Sequence, residues 1–127
     1  MNNTPPRNSI TLFQWNCHGI NNKRELLPLI DNGTDHDILA LSETWLSPEI
    51  DFHLKNFHII CCDGPSKHSG GTLLAVRDWI PFTKVSHIFD SVGTLEAVGI
   101  SITSLSFNNP ILIISIYRHP GNANPLL

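Results

Sequence analysis

Apolar and polar residues along this chain alternate in short blocks, and the blocks read mostly as strands. Ser9–Trp15 (SITLFQW) is β-branched, aromatic and apolar, and predicts a first strand. The polar stretch Asn16-Cys17-His18-Gly19 then reads as a loop. Residues 21–30 predict one short helix, capped by Asn21 and given an apolar face by Leu26, Leu27 and Ile30, with Pro28 placed to kink or shorten it. Asp37–Glu43 (DILALSE) is a nearly continuous apolar run between polar residues, the pattern of a strand buried on both faces. Further strands are predicted at Phe57–Cys62, Thr72–Arg77, Leu95–Thr103 and Ile111–Tyr117, separated by turn signals such as Asp63-Gly64-Pro65 and Asn108-Asn109-Pro110. The later strands follow one another through short connections, which favours antiparallel pairing. One helix and six strands give an α/β (or α+β) domain with the strands at its centre.

The length, 127 residues, suits one domain with a core of its own. Residues 1–8 are polar, contain Pro5 and Pro6, and read as a flexible tail; residues 9–127 read as the domain. Hydrophobic residues at 41% against 15% charged residues point to a folded chain. The formal charge of −3 excludes a strongly basic nucleic-acid module as a description of the whole chain, while leaving room for a local basic face. No apolar run is long enough to span a bilayer, and the polar start has no signal-peptide character, so no membrane partner is expected. Three cysteines, Cys17, Cys61 and Cys62, do not make a disulfide framework and favour a reducing, intracellular setting.

Function is sought at strand ends, where loops hold polar groups on a rigid scaffold. Asn16 ends the first strand, Glu43 ends the doubly buried run, and Tyr117 ends the last one. A lone carboxylate at such a position suits Mg²⁺, which takes one or two carboxylates and keeps several waters. Capping of the Thr44-Trp45 turn is the commoner role on periodicity alone. Asn16 can orient a carboxylate or phosphate oxygen, or form an Asx turn before Gly19. Tyr117 can donate to a phosphate oxygen, or cover the core as a strand-end aromatic. The Cys and His spacings do not match a zinc site, and Cys17-His18 are adjacent on an extended segment, where neighbouring side chains point apart. No G-x-S-x-G, P-loop or G-x-G-x-x-G is present, and Ser69-Gly70-Gly71 reads as a bend entering a strand.

Taken in order, several of these segments resemble one family. Gln14-Trp15-Asn16 with Gly19 beyond, then Asp37–Leu46 (DILALSETWL), Ser69-Gly70-Gly71 before Leu73–Arg77, Leu95-Glu96-Ala97-Val98, and Ser115–Pro120 (SIYRHP) are similar to the first half of the endonuclease/exonuclease/phosphatase superfamily. The wording "SETWL" and "YRHPGN" is most similar to the apurinic-like endonuclease domain of non-LTR retrotransposons. The resemblance covers roughly residues 9 to 122 and implies a two-sheet α/β sandwich with outer helices, each half of the domain supplying one sheet. It implies a divalent-metal-dependent DNA endonuclease using Mg²⁺ (or Mn²⁺), with Glu43 as the metal-binding carboxylate and Asn16 supporting the metal site. It places Tyr117 facing the scissile phosphate, and Arg118, His119 and Asn122 in a loop that nears nucleic acid. DNA is the implied partner, with a reverse transcriptase in the same natural polyprotein and nuclear action for the full-length relative. The family's Asp-x-Asn motif and late Asp-His pair have no counterpart after Tyr117. The chain is therefore expected to be the N-terminal half of the domain, inactive alone, with an uncovered apolar sheet face and a tendency to self-associate. The alternative is a non-catalytic nucleic-acid-binding or relic half-domain.

Overall fold

The computed structural model describes residues 9–21, 23, 36–46, 52–62, 70–85, 95–103 and 109–118. Seven strands run through these residues: β1 (Leu12–Asn16), β2 (Ile38–Ser42), β3 (Phe57–Cys62), β4 (Thr72–Arg77), β5 (Thr83–Val85), β6 (Leu95–Ile102) and β7 (Ile111–Arg118). Six of them lie where the apolar blocks predict them. The seventh, β5, is a three-residue edge strand (TKV) with no hydrophobic period to announce it. The predicted helix at 21–30 lies outside the described residues, apart from Asn21 and Lys23. Among the described residues, no helix is long and apolar enough to cross a membrane.

The strands form two sheets. The first has the order β1-β2-β4-β3, and the second the order β5-β6-β7. β1 and β2 are parallel, with Asn16 beside Ser42, and β4 runs antiparallel to β2, with Thr72 beside Ser42. The sequence of β2 explains its central place. Ile38, Leu39, Ala40 and Leu41 are all buried, so the strand needs cover on both faces. Leu39, Leu41, Leu73 and Ala75 pack on one face with Cys17, Ile20, Leu46 and Phe52. Ile38, Ala40, Leu74 and Val76 pack on the other with Val98, Ile100 and Ile102 of β6. That second cluster joins the sheets face to face, each large aliphatic side chain contributing about 1.5–3 kcal/mol on burial.

This arrangement corrects the expectation that each half of the domain supplies one sheet: this chain builds strands in both. The reason is the alternation in β6, which turns Val98, Ile100 and Ile102 toward β2 and β4. The expected uncovered face is present at one place. Leu112, Ile114 and Ile116 alternate along β7 and are 56%, 40% and 56% exposed. β7 is also the edge strand of its sheet among the described residues.

A buried carboxylate pins the far end of the first sheet. Asp37, 2% exposed, accepts hydrogen bonds from the Thr11 amide (2.8 Å) and hydroxyl (3.1 Å), tying the start of β1 to the start of β2. Beside it, Arg77 donates from Nε to the His36 carbonyl at 3.0 Å and lies over the Phe57 ring at 4.3 Å. Charged groups at that end are engaged in holding strands together. The opposite end carries the candidate chemistry.

Candidate active site

The pairing directions bring the C-terminal ends of β1, β2 and β7 and the N-terminal ends of β4 and β6 to one edge of the sandwich. Three polar contacts cross between the sheets there. Tyr117 Oη donates to Glu43 Oε1 at 3.1 Å, joining residues 74 apart in sequence. The Gly71 amide donates to Glu96 Oε1 at 2.6 Å. The hydroxyls of Thr72 and Ser115 share a buried hydrogen bond at 2.5 Å.

Backbone bonds extend the β1–β2 association past the strands. The Cys17 amide donates to the Ser42 carbonyl, Gly19 to Glu43, and Ile20 to Thr44. On the other side, the Thr44 amide donates to the Gly71 carbonyl at 3.3 Å and the Trp45 amide to Gly70 at 3.0 Å. Glu43 and Trp45 both sit in the left-handed region, with φ of 52° and 57°. That conformation is uncommon for residues with side chains and concentrates at functional sites. Gly70 and Gly71, with φ of 74° and 95°, supply the receiving turn.

These bonds bear on whether Glu43 caps the turn that follows it. The Thr44 and Trp45 amides are held by the glycine carbonyls, so the Glu43 carboxylate is not their cap. It faces across the sheets to Tyr117 instead. The Cys17, Gly19 and Ile20 amides are likewise held by backbone of the β2 extension. Asn16 is exposed at the end of β1, paired in register with Ser42, one residue before Glu43. Tyr117 does more than cover the core, because its hydroxyl reaches the carboxylate. Arg118 ends β7 and pairs in register with Leu95. His119 and Asn122 lie outside the described residues.

Several residues at this edge escape sequence reasoning. Glu96 is one, and its signal was a single carboxylate inside the apolar run LEAVGISI, in register opposite Tyr117. His18, exposed and at φ 52°, lies against the half-buried Trp45 ring, tilted 59° to it, at 4.5 Å between centroids. Lys23 donates to the Cys17 carbonyl at 2.5 Å and the His18 carbonyl at 2.8 Å, holding this loop. No pattern in the sequence announces either contact.

Electrostatics follow the geometry. Burial, the hydrogen bond to Glu43 and the charges of Glu43 and Glu96 all push the Tyr117 phenol above its ordinary value of 10.0. Burial pushes the Cys17 thiol up to about 12, with Lys23 opposing and Glu43 reinforcing the shift. Such a thiol stays protonated at neutral pH and is no nucleophile.

The donor set fits a hard cation better than zinc. Glu43 and Asn16 offer oxygen donors one strand apart, and Mg²⁺ accepts such a partial set because it retains waters. Among the described residues, no three His, Cys, Asp or Glu side chains converge as a closed site would require.

A family model for the endonuclease/exonuclease/phosphatase family matches residues 13–125, from inside β1 to beyond β7. The chain belongs to the endonuclease/exonuclease/phosphatase family. Its two facing sheets fit the family's α/β sandwich. Members are generally hydrolases of phosphodiesters or phosphate esters, and they typically use divalent metals. No curated protein matches the chain.

Tyr117 is the chain's single tyrosine, so its ionisation can be followed by absorbance without interference from another phenol. We expect a midpoint above 10.0, lowered by Glu43→Gln, which removes a charge while keeping an acceptor. The linkage has a definite sign. Tyr117 and Cys17 both bind their protons more tightly when folded, so their contribution to stability is complete below pH 9 and is lost as pH rises toward 12. A parent midpoint at or below 10.0 would contradict the Glu43–Tyr117 contact.

Proposed function

We propose that this chain is the N-terminal half of a divalent-metal-dependent DNA endonuclease domain of a retrotransposon-type protein. The observation that carries the reading is the Tyr117–Glu43 hydrogen bond, which joins a phenol and a carboxylate at the edge where Asn16 also ends its strand. Phosphodiester hydrolysis needs charge neutralisation at phosphate, an oriented water and in-line geometry. Glu43 and Asn16 would hold Mg²⁺ (or Mn²⁺), which when bound neutralises charge on the phosphate oxygens. Glu43 holds the Tyr117 hydroxyl at a fixed place on the rim, where that hydroxyl can turn to a phosphate oxygen. Arg118, the last residue of β7, adds positive charge at the same end of the sandwich, where a nucleic-acid backbone would approach.

Support for the retrotransposon reading is the wording of SETWL and YRHPGN in the sequence. In such a setting a reverse transcriptase accompanies the endonuclease in one polyprotein and the enzyme acts on nuclear DNA. The 127 residues carry no Asp-x-Asn or Asp-His motif after Tyr117. The groups that activate water and bind the leaving oxygen then have to come from elsewhere. General-base assistance alone is worth about 10²–10⁴ in rate. We therefore expect the chain by itself not to cut.

The test uses supercoiled plasmid DNA with Mg²⁺. The purified chain is expected to leave it intact. A longer polypeptide that joins the chain to a segment carrying both motifs is expected to nick it, and to leave a small phosphoester such as p-nitrophenyl phosphate untouched. Turnover of the small ester without nicking would replace the endonuclease with a phosphatase. Nicking by the 127-residue chain alone, lost in Glu43→Ala, would show that these residues hold a complete site.

A further inference from the structure

We propose that Glu96 is a positioning residue, whose carboxylate fixes the Gly70–Gly71 turn and through it the left-handed loop that presents Glu43 to Tyr117. The contacts form a closed circuit. Glu96 Oε1 accepts from the Gly71 amide at 2.6 Å. The carbonyls of Gly71 and Gly70 accept from the amides of Thr44 and Trp45. Those amides belong to the two residues that follow Glu43, itself at φ 52°, and Glu43 receives the Tyr117 hydroxyl. Tyr117 closes the loop by pairing in register with Glu96 on the neighbouring strand.

The circuit has a physical purpose. Gly70 and Gly71 are buried and both have positive φ, a conformation that glycine permits without enforcing. Glycine pairs are free to take many shapes, so an outside contact is needed to select one. The Glu96 side-chain oxygen, which reaches the Gly71 amide at 2.6 Å, does so by its position. It also comes from the opposite sheet, so it sets the spacing across which Tyr117 reaches Glu43. The Thr72–Ser115 hydroxyl pair, one residue along, holds the same spacing. Glu96 acts through the backbone, by its bond to the Gly71 amide, while the Tyr117 hydroxyl goes to Glu43.

The effect on metal binding rests on the proposed hydrolase site; the effect on the loop does not. The test keeps the two apart. The full chain is compared with Glu96→Gln, which keeps the reach of the acceptor oxygen and removes its charge, and with Glu96→Asp, which keeps the charge and shortens the reach. Two readouts are taken by NMR: amide exchange at Thr44 and Trp45, and broadening of the Tyr117 ring by Mn²⁺. Glu96→Gln is expected to behave much like the parent in both. Glu96→Asp is expected to exchange faster at both amides and to need about tenfold more Mn²⁺, the usual scale for losing an outer-shell partner. Three parent-like proteins would overturn the inference. A weak Glu96→Gln beside a parent-like Glu96→Asp would also overturn it, by showing that charge rather than reach matters. If Mn²⁺ does not broaden Tyr117 in the parent, the metal reading fails, and the amide exchange still decides the role of Glu96.

Discussion

Glu43→Ala is expected to lower Mg²⁺-dependent nicking by about 10³ in a polypeptide that completes the site, equivalent to roughly 4 kcal/mol of transition-state stabilisation. The size follows from two roles held by one carboxylate. Among the described residues Glu43 is the acid at the C-terminal end of β2, and by the proposed function it is the charged metal ligand from this half. It is also the acceptor that holds the Tyr117 hydroxyl at 3.1 Å. Removing it takes away the anion that attracts the cation and releases the phenol at the same time. Tyr117→Phe removes only the second role and is expected to cost about 10–10². The double variant should be no slower than Glu43→Ala, because groups that act as a unit lose their effect together. Plasmid nicking at saturating Mg²⁺ checks all three, with thermal melts to confirm that each protein folds. A Glu43→Ala rate within tenfold of the parent would remove the carboxylate from the metal site. Equal losses that simply add in the double variant would mean that the Glu43–Tyr117 bond has no part in activity.

The sequence makes the strands legible because their burial is regular. The run ILAL in β2 is buried at every position, and its composition says so without any tertiary information. β6 alternates, which marks its inward face, whereas the apolar run ILII of β7 does not show which of its faces is covered. β5 has three residues, one of them a lysine, and its strand state comes from pairing with Gly99–Ser101 of β6, a contact the local pattern does not contain. The division of the chain between two sheets was illegible for a similar reason. It depends on which face of β6 meets β4, and both sheets use the same residue types.

The site was legible in part. Asn16, Glu43 and Tyr117 stand out because each polar group interrupts an apolar run at its end, where the pattern of burial has no place for it. Glu96 interrupts a run near its start in the same way. Its role comes from a bond to a backbone amide 25 residues away, and no side-chain pattern marks an amide as needing an acceptor. The left-handed loop at Glu43 was also hidden. Glutamate and tryptophan seldom adopt positive φ, and only the glycine carbonyls opposite them make it necessary.

Gly19→Ala tests how tightly this loop is built, and we expect it to destabilise the chain by about 2–5 kcal/mol. Two terms add. Gly19 has φ of 93°, where an alanine is strained by about 1–2 kcal/mol. A Cβ at that position would also lie 2.6 Å from Cε3 and 3.0 Å from Cζ3 of the Trp45 ring. Forcing a methyl into such a contact costs about 1–3 kcal/mol in a packed region. The indole has little freedom to retreat, because the tilted His18 ring lies against it at 4.5 Å and the Trp45 amide is tied to Gly70. The two terms separate in a double-mutant cycle. In a Trp45→Ala background the ring is gone, so Gly19→Ala should cost only the backbone term of about 1–2 kcal/mol. Urea melts of the four proteins give the coupling directly. If Gly19→Ala costs the same in both backgrounds, the indole is not what the glycine makes room for. A smaller cost in the Trp45→Ala background would place the ring, and with it the loop bearing Glu43, against the β1 turn at van der Waals contact.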